Sequence, residues 1–307
     1  MLRGPVLISD KTYIFGGPKN INMLPIIAEK QGYFKENGLN MEREDILTGA
    51  LTYDALVNKD IDFGVIVDTN IAFDNIKENP DVEVIAVIQE KFDDAIIADS
   101  SIQNPEDFEG KRIAITPLTT SHAYAVFYLI QNNVDTSSVE FVNMAPPAIQ
   151  EALIQGEIEA GSLWQPFRQN VVSELGSQVK TFNDETAYTG FALVVVRVGF
   201  SDGNPEVVEN FLRALINAEE YVERNLRESQ ELLAEEIGIP FEIFTDVWHE
   251  YSVRVSLSQH LIIALEAEAR WAIKNGIVET TEMPNYLDYI YYGALEKVKP
   301  EAVGIIR

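Results

Sequence analysis

The sequence predicts an α/β protein of two lobes, each a mixed sheet flanked by helices, the two joined by a two-strand hinge. Three observations carry that expectation. Short β-rich runs alternate with amphipathic stretches over the first two thirds of the chain, the pattern of parallel-sheet units. The chain has 307 residues and 46% hydrophobic content, more than a single core usually needs. A second series of strands and helices begins near residue 95, and it ends at Phe191–Val196, the most apolar run in the chain, read as a buried crossing strand.

The elements follow in order. Val6–Ser9 opens as a strand and Asp10–Asn20 is a loop. Pro25 suits the first turn of a helix that Gly32 stops. Leu39–Arg43 is extended, Thr52–Asn58 is helical, and Ile61–Val67 is a strand that delivers Asp68, Thr69 and Asn70 at its C-terminal end; Val82–Ile88 is a further strand. In the second series, Ala95–Ala98, Arg112–Thr116, Val139–Val142 and Ala160–Leu163 are strands, while Ser121–Gln131 and Ala148–Ile154 are helices. From Pro205 the patterning is helical through Glu236, then from Trp248 to Lys274 and from Tyr286 to Leu295. The predicted organisation is therefore nested: 1–94 and 195–307 form the first lobe, and 95–194 the second. Two crossings side by side make a hinge, and the hinge makes a cleft lined by strand ends.

Composition removes several function classes. With 49 acidic against 23 basic residues and a formal charge of -26, no basic stripe exists to neutralise nucleic-acid phosphates. Zero Cys excludes disulfides, thiolate metal sites and cysteine nucleophiles, and is compatible with an oxidising compartment. No apolar run approaches the ~20 residues of a membrane span. Met1–Val6 lacks the apolar segment and cleavage site of a signal peptide, so a protein working outside the membrane implies a trimmed leader or an anchor elsewhere.

Ligand groups in such a fold belong at C-terminal strand ends and helix N-termini. Four loops qualify: Lys11–Phe15 with Tyr13 and Phe15, then Asp68–Thr69–Asn70, then Thr116–His122, and Trp164–Phe167. Thr119, Thr120 and Ser121 precede an apolar helical run, so one hydroxyl can cap the helix while others and free N–H groups meet an anion or acceptor. His122 can donate to such a group, Trp164 offers a wall, and Tyr188 with Thr189 precedes the crossing strand. Asp68 would repel a bare anion unless paired, and would welcome an ammonium or ring amino group. Lys11, Lys91, His122 and Arg168 are the basic residues near these loops. That set favours a zwitterion or an aminopyrimidine over a simple dianion.

Four segments carry a family likeness: Leu24–Leu39 (LPIIAEKQGYFKENGL), Ala55–Gly64 (ALVNKDIDFG), Asp107–Ile115 (DFEGKRIAI), and Ala152–Ala160 (ALIQGEIEA) followed by Trp164 and Pro166. In this order they resemble the nitrate/sulfonate/taurine class of ABC-transporter solute-binding proteins, which includes binders of thiamine-pyrimidine precursors. The resemblance implies a type 2 periplasmic-binding-protein fold and extracytoplasmic capture of a small organic solute. It also implies a monomer that partners a transporter permease, periplasmic or extracellular and membrane-associated through a leader or lipid anchor, and it assigns anion contact to the Ser/Thr loop at Thr119–Ser121 and a wall role to Trp164.

Catalysis finds little support in the residues. His122, His249 and His260 all fall on predicted helices, with no Gly-x-Ser-x-Gly elbow and no His-Glu-x-x-His pair, and Gly16-Gly17-Pro18 lacks phosphate-loop spacing. No catalytic residue, metal or cofactor is assigned. The alternatives come through shared architecture: a menaquinone-type lyase acting on an aromatic acid, a thiamine-pyrimidine synthase, whose cysteine-rich cluster this chain lacks, or the ligand-sensing domain of a receptor.

Overall fold

A computed structural model describes residues 11–74, 80–91, 93–184, 186–274, 276–278 and 280–306. The strand expected at Val6–Ser9 lies outside them. The chain forms two compact units: 1–90, 191–236 and 252–307 make the first, and 91–190 with 237–251 the second. It passes between them after Glu90, Gly190, Glu236 and Tyr251, four times where the sequence suggested two.

Unit one is built on a seven-stranded sheet, and its strands are β1 (Thr12–Gly17), β2 (Asn40–Asp45), β3 (Phe63–Val67) and β4 (Val82–Glu90), then β10 (Phe191–Arg197), β11 (Ser252–Ser258) and β12 (Val303–Gly304). The order is β12-β11-β4-β10-β3-β1-β2. β1 runs parallel to β2 and β3, whereas β10 is antiparallel to both β3 and β4. The C-terminal ends of β1, β3 and β4 therefore share one edge of the sheet with the N-terminal ends of β10 and β11. Every side chain of β3 and the first six of β10 are buried, as expected of central strands covered on both faces. One face packs through an aromatic series onto the helix Pro205–Arg224: Phe63 stacks on Phe211 at 4.0 Å, and Phe34 lies 5.3 Å from Phe15 and 5.2 Å from Phe211. Gly32, at φ 79, ends the helix Met23–Gln31 by donating its N–H to Ala28 and Glu29 carbonyls.

Two elements of unit one differ from the sequence reading. Lys11–Phe15 is not a loop; Thr12–Gly17 is itself β1, held to β3 by Asp62, whose N–H donates to the Ile14 carbonyl (2.8 Å) and whose carboxylate accepts from the Ile14 N–H (3.1 Å). The span read as helix from Trp248 also contains β11. Its Ser-Val-Arg-Val-Ser-Leu-Ser pattern has period two, and Val255 and Leu257 enter the core.

Unit two has the strands β5 (Ala95–Asp99), β6 (Arg112–Ile115), β7 (Glu140–Asn143), β8 (Ala160–Leu163) and β9 (Val179–Phe182), in the order β7-β6-β8-β5-β9. β6, β7 and β8 are parallel and β5 opposes β8. Strand alternation divides the core: Ile96, Ala98, Ile113 and Ile115 face Tyr124 and Leu129, while Ala95, Ile97 and Ala114 face Ile149 and Leu153. Gly161 lets the helix Pro146–Ile154 press against β8, since a Cβ there would lie 2.5 Å from Ile149 Cγ2.

Candidate functional site

In unit two, β6 ends at Ile115 and the chain turns through Thr116–Thr119 into the helix Thr120–Gln131. Leu118 takes a positive φ of 63, uncommon for a branched side chain and a conformation that the surrounding bonds must impose. Thr119 is the N-cap: its Oγ1 accepts from the His122 N–H at 3.4 Å and donates to the Thr116 carbonyl at 2.7 Å. Ser121 Oγ bonds to Thr119 Oγ1 at 3.1 Å, and the Ser121 carbonyl accepts from Ser162 Oγ at 2.7 Å, tying the helix start to the neighbouring strand β8. Thr119 and Ser121 are thus consumed by the turn. Thr120 is buried, and among the described residues its hydroxyl meets no partner. A helix leaves its first N–H groups without intrahelical acceptors; here the cap serves His122, and among the described residues the backbone N–H groups of Thr120 and Ser121 meet no backbone acceptor. A hydroxyl donor and two N–H donors at the positive end of a helix dipole can bind an anionic or acceptor group without a basic side chain.

His122 is buried, and its Nδ1 accepts from the Leu118 N–H at 3.4 Å. Desolvation lowers its pKa to about 4, so the ring is neutral at physiological pH with its proton on Nε2. It serves this site as a dipole, not a cation.

The next strand end, that of β8, presents Trp164 and Gln165, joined by a cis bond to Pro166. Trp164 is 8% exposed, with Phe167 edge-on at 6.0 Å. Tyr188 stacks on Phe127 of the helix Thr120–Gln131, ring centroids 5.7 Å apart.

In unit one the expected residues have other duties. Tyr13 and Phe15 are buried strand residues; Tyr13 meets the edge of Phe200 at 6.5 Å and Phe15 belongs to the aromatic core. Neither sits in a loop after a strand, because the strand is the segment that carries them. Asp68, Thr69 and Asn70 are all buried at the end of β3. Asp68 Oδ1 accepts from the Thr69 N–H and Oδ2 from the Phe191 N–H, both at 3.0 Å, and Asn70 Oδ1 accepts from the Val67 N–H at 3.0 Å. The Asp68 carboxylate therefore joins the start of β10 to the end of β3. Backbone donors supply the partners for which a cationic or amino-bearing ligand was invoked, so Asp68 no longer argues for one.

One residue at this edge escaped the sequence reading. β1 ends at Gly17, and a turn closed by the Ile21 N–H on the Pro18 carbonyl (3.2 Å) leads to Asn22, the N-cap of the helix Met23–Gln31. Asn22 is fully buried, its side chain makes no cap bond, and among the described residues neither Nδ2 nor Oδ1 has a partner. A buried amide in that state costs about 1–3 kcal/mol, which a ligand hydrogen bond would offset. Its only signal in the sequence was an Asn directly before an apolar helical run. Among the described residues no group of His and carboxylates could hold a metal, and no helix is long and apolar enough to cross a membrane.

The chain is similar to known proteins in sequence and in fold. The taurine-binding periplasmic protein of Escherichia coli (strain K12) is 29% identical over 199 residues, 63% of this chain and 61% of that protein, so the chain spans about three fifths of that relative's length. Among solved structures, the alkanesulfonate-binding protein SsuA from Xanthomonas axonopodis pv. citri bound to MOPS has a TM-score of 0.77 at 16% identity, covering 92% of this chain and 98% of that one. The periplasmic nitrate-binding protein NrtA from Synechocystis PCC 6803 gives 0.72 at 14% identity, covering 97% and 90%. These likenesses fix the fold as the two-lobed α/β type 2 periplasmic-binding-protein fold. The profile of one family, described as NMT1/THI5 like, matches residues 20–228, more than half of the chain, and the chain belongs to that family.

Proposed function

We propose that this chain captures a small organic solute with an anionic or strongly accepting end, of the sulfonate or taurine-like class, outside the cytoplasm. It acts as a monomer, returns the solute unchanged and hands it to the permease of an ABC importer. The observation that carries the reading is the start of the helix Thr120–Gln131, where the Thr120 hydroxyl and the N–H groups of Thr120 and Ser121 are left over after capping. Such donors suit the several oxygens of a sulfonate or carboxylate head, and Trp164, on the adjacent strand end, suits its apolar body. With Asp68 satisfied by backbone, aminopyrimidines lose the contact that favoured them and sulfonates gain standing. The 29% identical taurine-binding relative supports the same class.

A thermal-shift panel of taurine, ethanesulfonate, nitrate, an aminopyrimidine and an aromatic acid tests the proposal. Stabilisation by the two sulfonates, with each recovered intact, is the expected result. A response to nitrate alone, or conversion of the aromatic acid, would overturn it.

A further inference from the structure

The Trp164 loop is held from behind by charged side chains that the solute reading does not use. Asp93 Oδ2 accepts from the Gln165 N–H at 3.0 Å. Arg168, in the first turn of the helix Phe167–Leu175, donates through Nη1 to the Asp93 carbonyl at 2.8 Å and to Glu250 Oε2 at 3.1 Å. The other Glu250 oxygen accepts from Asn183 Nδ2 at 3.1 Å. The Arg168 and Glu250 side chains are 13% and 6% exposed, and Asp93 is fully buried. All of these residues belong to unit two, yet Asp93 follows a passage from unit one by three residues and Glu250 closes the excursion 237–251 just before the chain returns.

A buried ion pair adds little net stability, because desolvating both charges cancels most of their attraction, whereas removing one partner leaves a buried charge and is costly. Such a pair is better suited to fixing a geometry than to strengthening a core. The geometry it fixes here is that of Trp164 and Gln165: one end of the network takes the Gln165 N–H, and Arg168 sits one turn beyond Trp164, its own N–H donating to the Trp164 carbonyl at 2.9 Å.

We propose that Glu250, acting through Arg168 and Asp93, is a positioning residue that locks the Trp164–Gln165 loop, so that solute affinity depends on how the excursion 237–251 is docked. The link to affinity rests on the solute reading above; the positioning of the loop does not. Acid should release the lock. Around Glu250 lie Arg168 from the helix Phe167–Leu175, Asp93 and Asp94 with Lys91 from the segment after β4, and His249 and Tyr251 from its own turn. Tyr124, Tyr188 and Asp184, beside Asn183, complete the surroundings. Burial pushes the Glu250 carboxyl up, against the pull of Arg168, and burial raises Asp93 in the same way. Protonation of Glu250 takes from Arg168 the charged carboxylate that it bonds, as Glu250→Gln does at neutral pH, and leaves it Asp93 alone.

The experiment uses the whole chain with Trp248→Phe and Trp271→Phe, which leaves Trp164 as the sole tryptophan of the three. Acrylamide quenching of Trp164 is measured without solute, in this parent and with Glu250→Gln. Quenching should rise at least about twofold in Glu250→Gln at neutral pH, and acidification should raise the quenching of the parent toward that value. Taurine, as the probe, should bind Glu250→Gln about tenfold more weakly. Equal quenching in folded parent and variant overturns the proposal, whatever the affinities. If Glu250→Gln does not fold, the acid series of the parent decides, and a flat series overturns it. If the parent binds no taurine, the solute reading fails while the quenching still judges the lock.

Discussion

Replacing Thr120 by Val keeps the shape of the side chain and removes only its hydroxyl. That hydroxyl has no partner among the described residues, so its loss should change the free energy of unfolding by less than about 0.5 kcal/mol. Thr119→Val, one residue earlier, removes the cap on the His122 N–H, the 2.7 Å bond to the Thr116 carbonyl and the 3.1 Å bond to Ser121 Oγ, and should cost about 1–2 kcal/mol. Affinity should follow the opposite pattern. A hydrogen bond to a charged acceptor contributes about 1.5–3 kcal/mol, so Thr120→Val should weaken sulfonate binding by about 10- to 150-fold. The helix dipole and the N–H groups remain in place, so the loss reads on the hydroxyl alone. Urea unfolding and calorimetric titration with taurine and ethanesulfonate, on the same two variants, make the comparison. Unchanged affinity in Thr120→Val, with its stability lowered, would mean that the hydroxyl serves the fold and that the assignment of donors at this helix start is wrong.

Three further outcomes are expected. Gly161→Ala should destabilise by about 1–3 kcal/mol in urea unfolding, because the new methyl meets Ile149 Cγ2 at 2.5 Å; an unchanged midpoint would mean that the helix Pro146–Ile154 shifts freely. Asn22→Leu should raise stability by about 1–3 kcal/mol in urea unfolding, since it removes a buried amide that has no partner among the described residues; a loss of stability would refute the reading of that amide as unsatisfied. His122 has its folded pKa lowered from 6.5 to about 4, so between those values the unfolded chain takes up a proton that the folded chain refuses. Its stabilising contribution is complete above about pH 6.5 and is lost as pH falls toward 4, by about 3 kcal/mol in all, and His122→Asn should flatten that part of the stability curve; an identical slope in wild type and variant would contradict it.

How far the sequence could be read depended on where the deciding partners lie. β3, β5, β6, β8 and β10 are short apolar runs bounded by turn residues, and their patterning sufficed to place them. β1 was hidden inside the span Asp10–Asn20 read as a loop, because the bonds that make Thr12–Gly17 a strand come from Asp62 and β2, dozens of residues away. β11 was absorbed into a helix because helical stretches flank it on both sides, despite a clear period of two. At the site, Thr119, Thr120 and Ser121 before an apolar helix were legible as hydroxyls at an N-terminus. Which of them remains for a ligand was not, because that depends on the Thr116 carbonyl and on Ser162 of β8. Asp68 misled for the same reason: its partner, the Phe191 N–H, is 123 positions away. The excursion 237–251 fell mostly in the gap between two segments read as helical, Pro205–Glu236 and Trp248–Lys274, so nothing local announced that Glu250 would meet Arg168.

Native mass spectrometry of the whole chain with taurine and with ethanesulfonate tests the central claim most directly, because it reads stoichiometry and the chemical identity of the solute together. The account predicts a monomer that carries one sulfonate and releases it with its mass unchanged. A chain that retains neither sulfonate at concentrations that saturate a solute-binding protein, or one that releases a solute of altered mass, would contradict it.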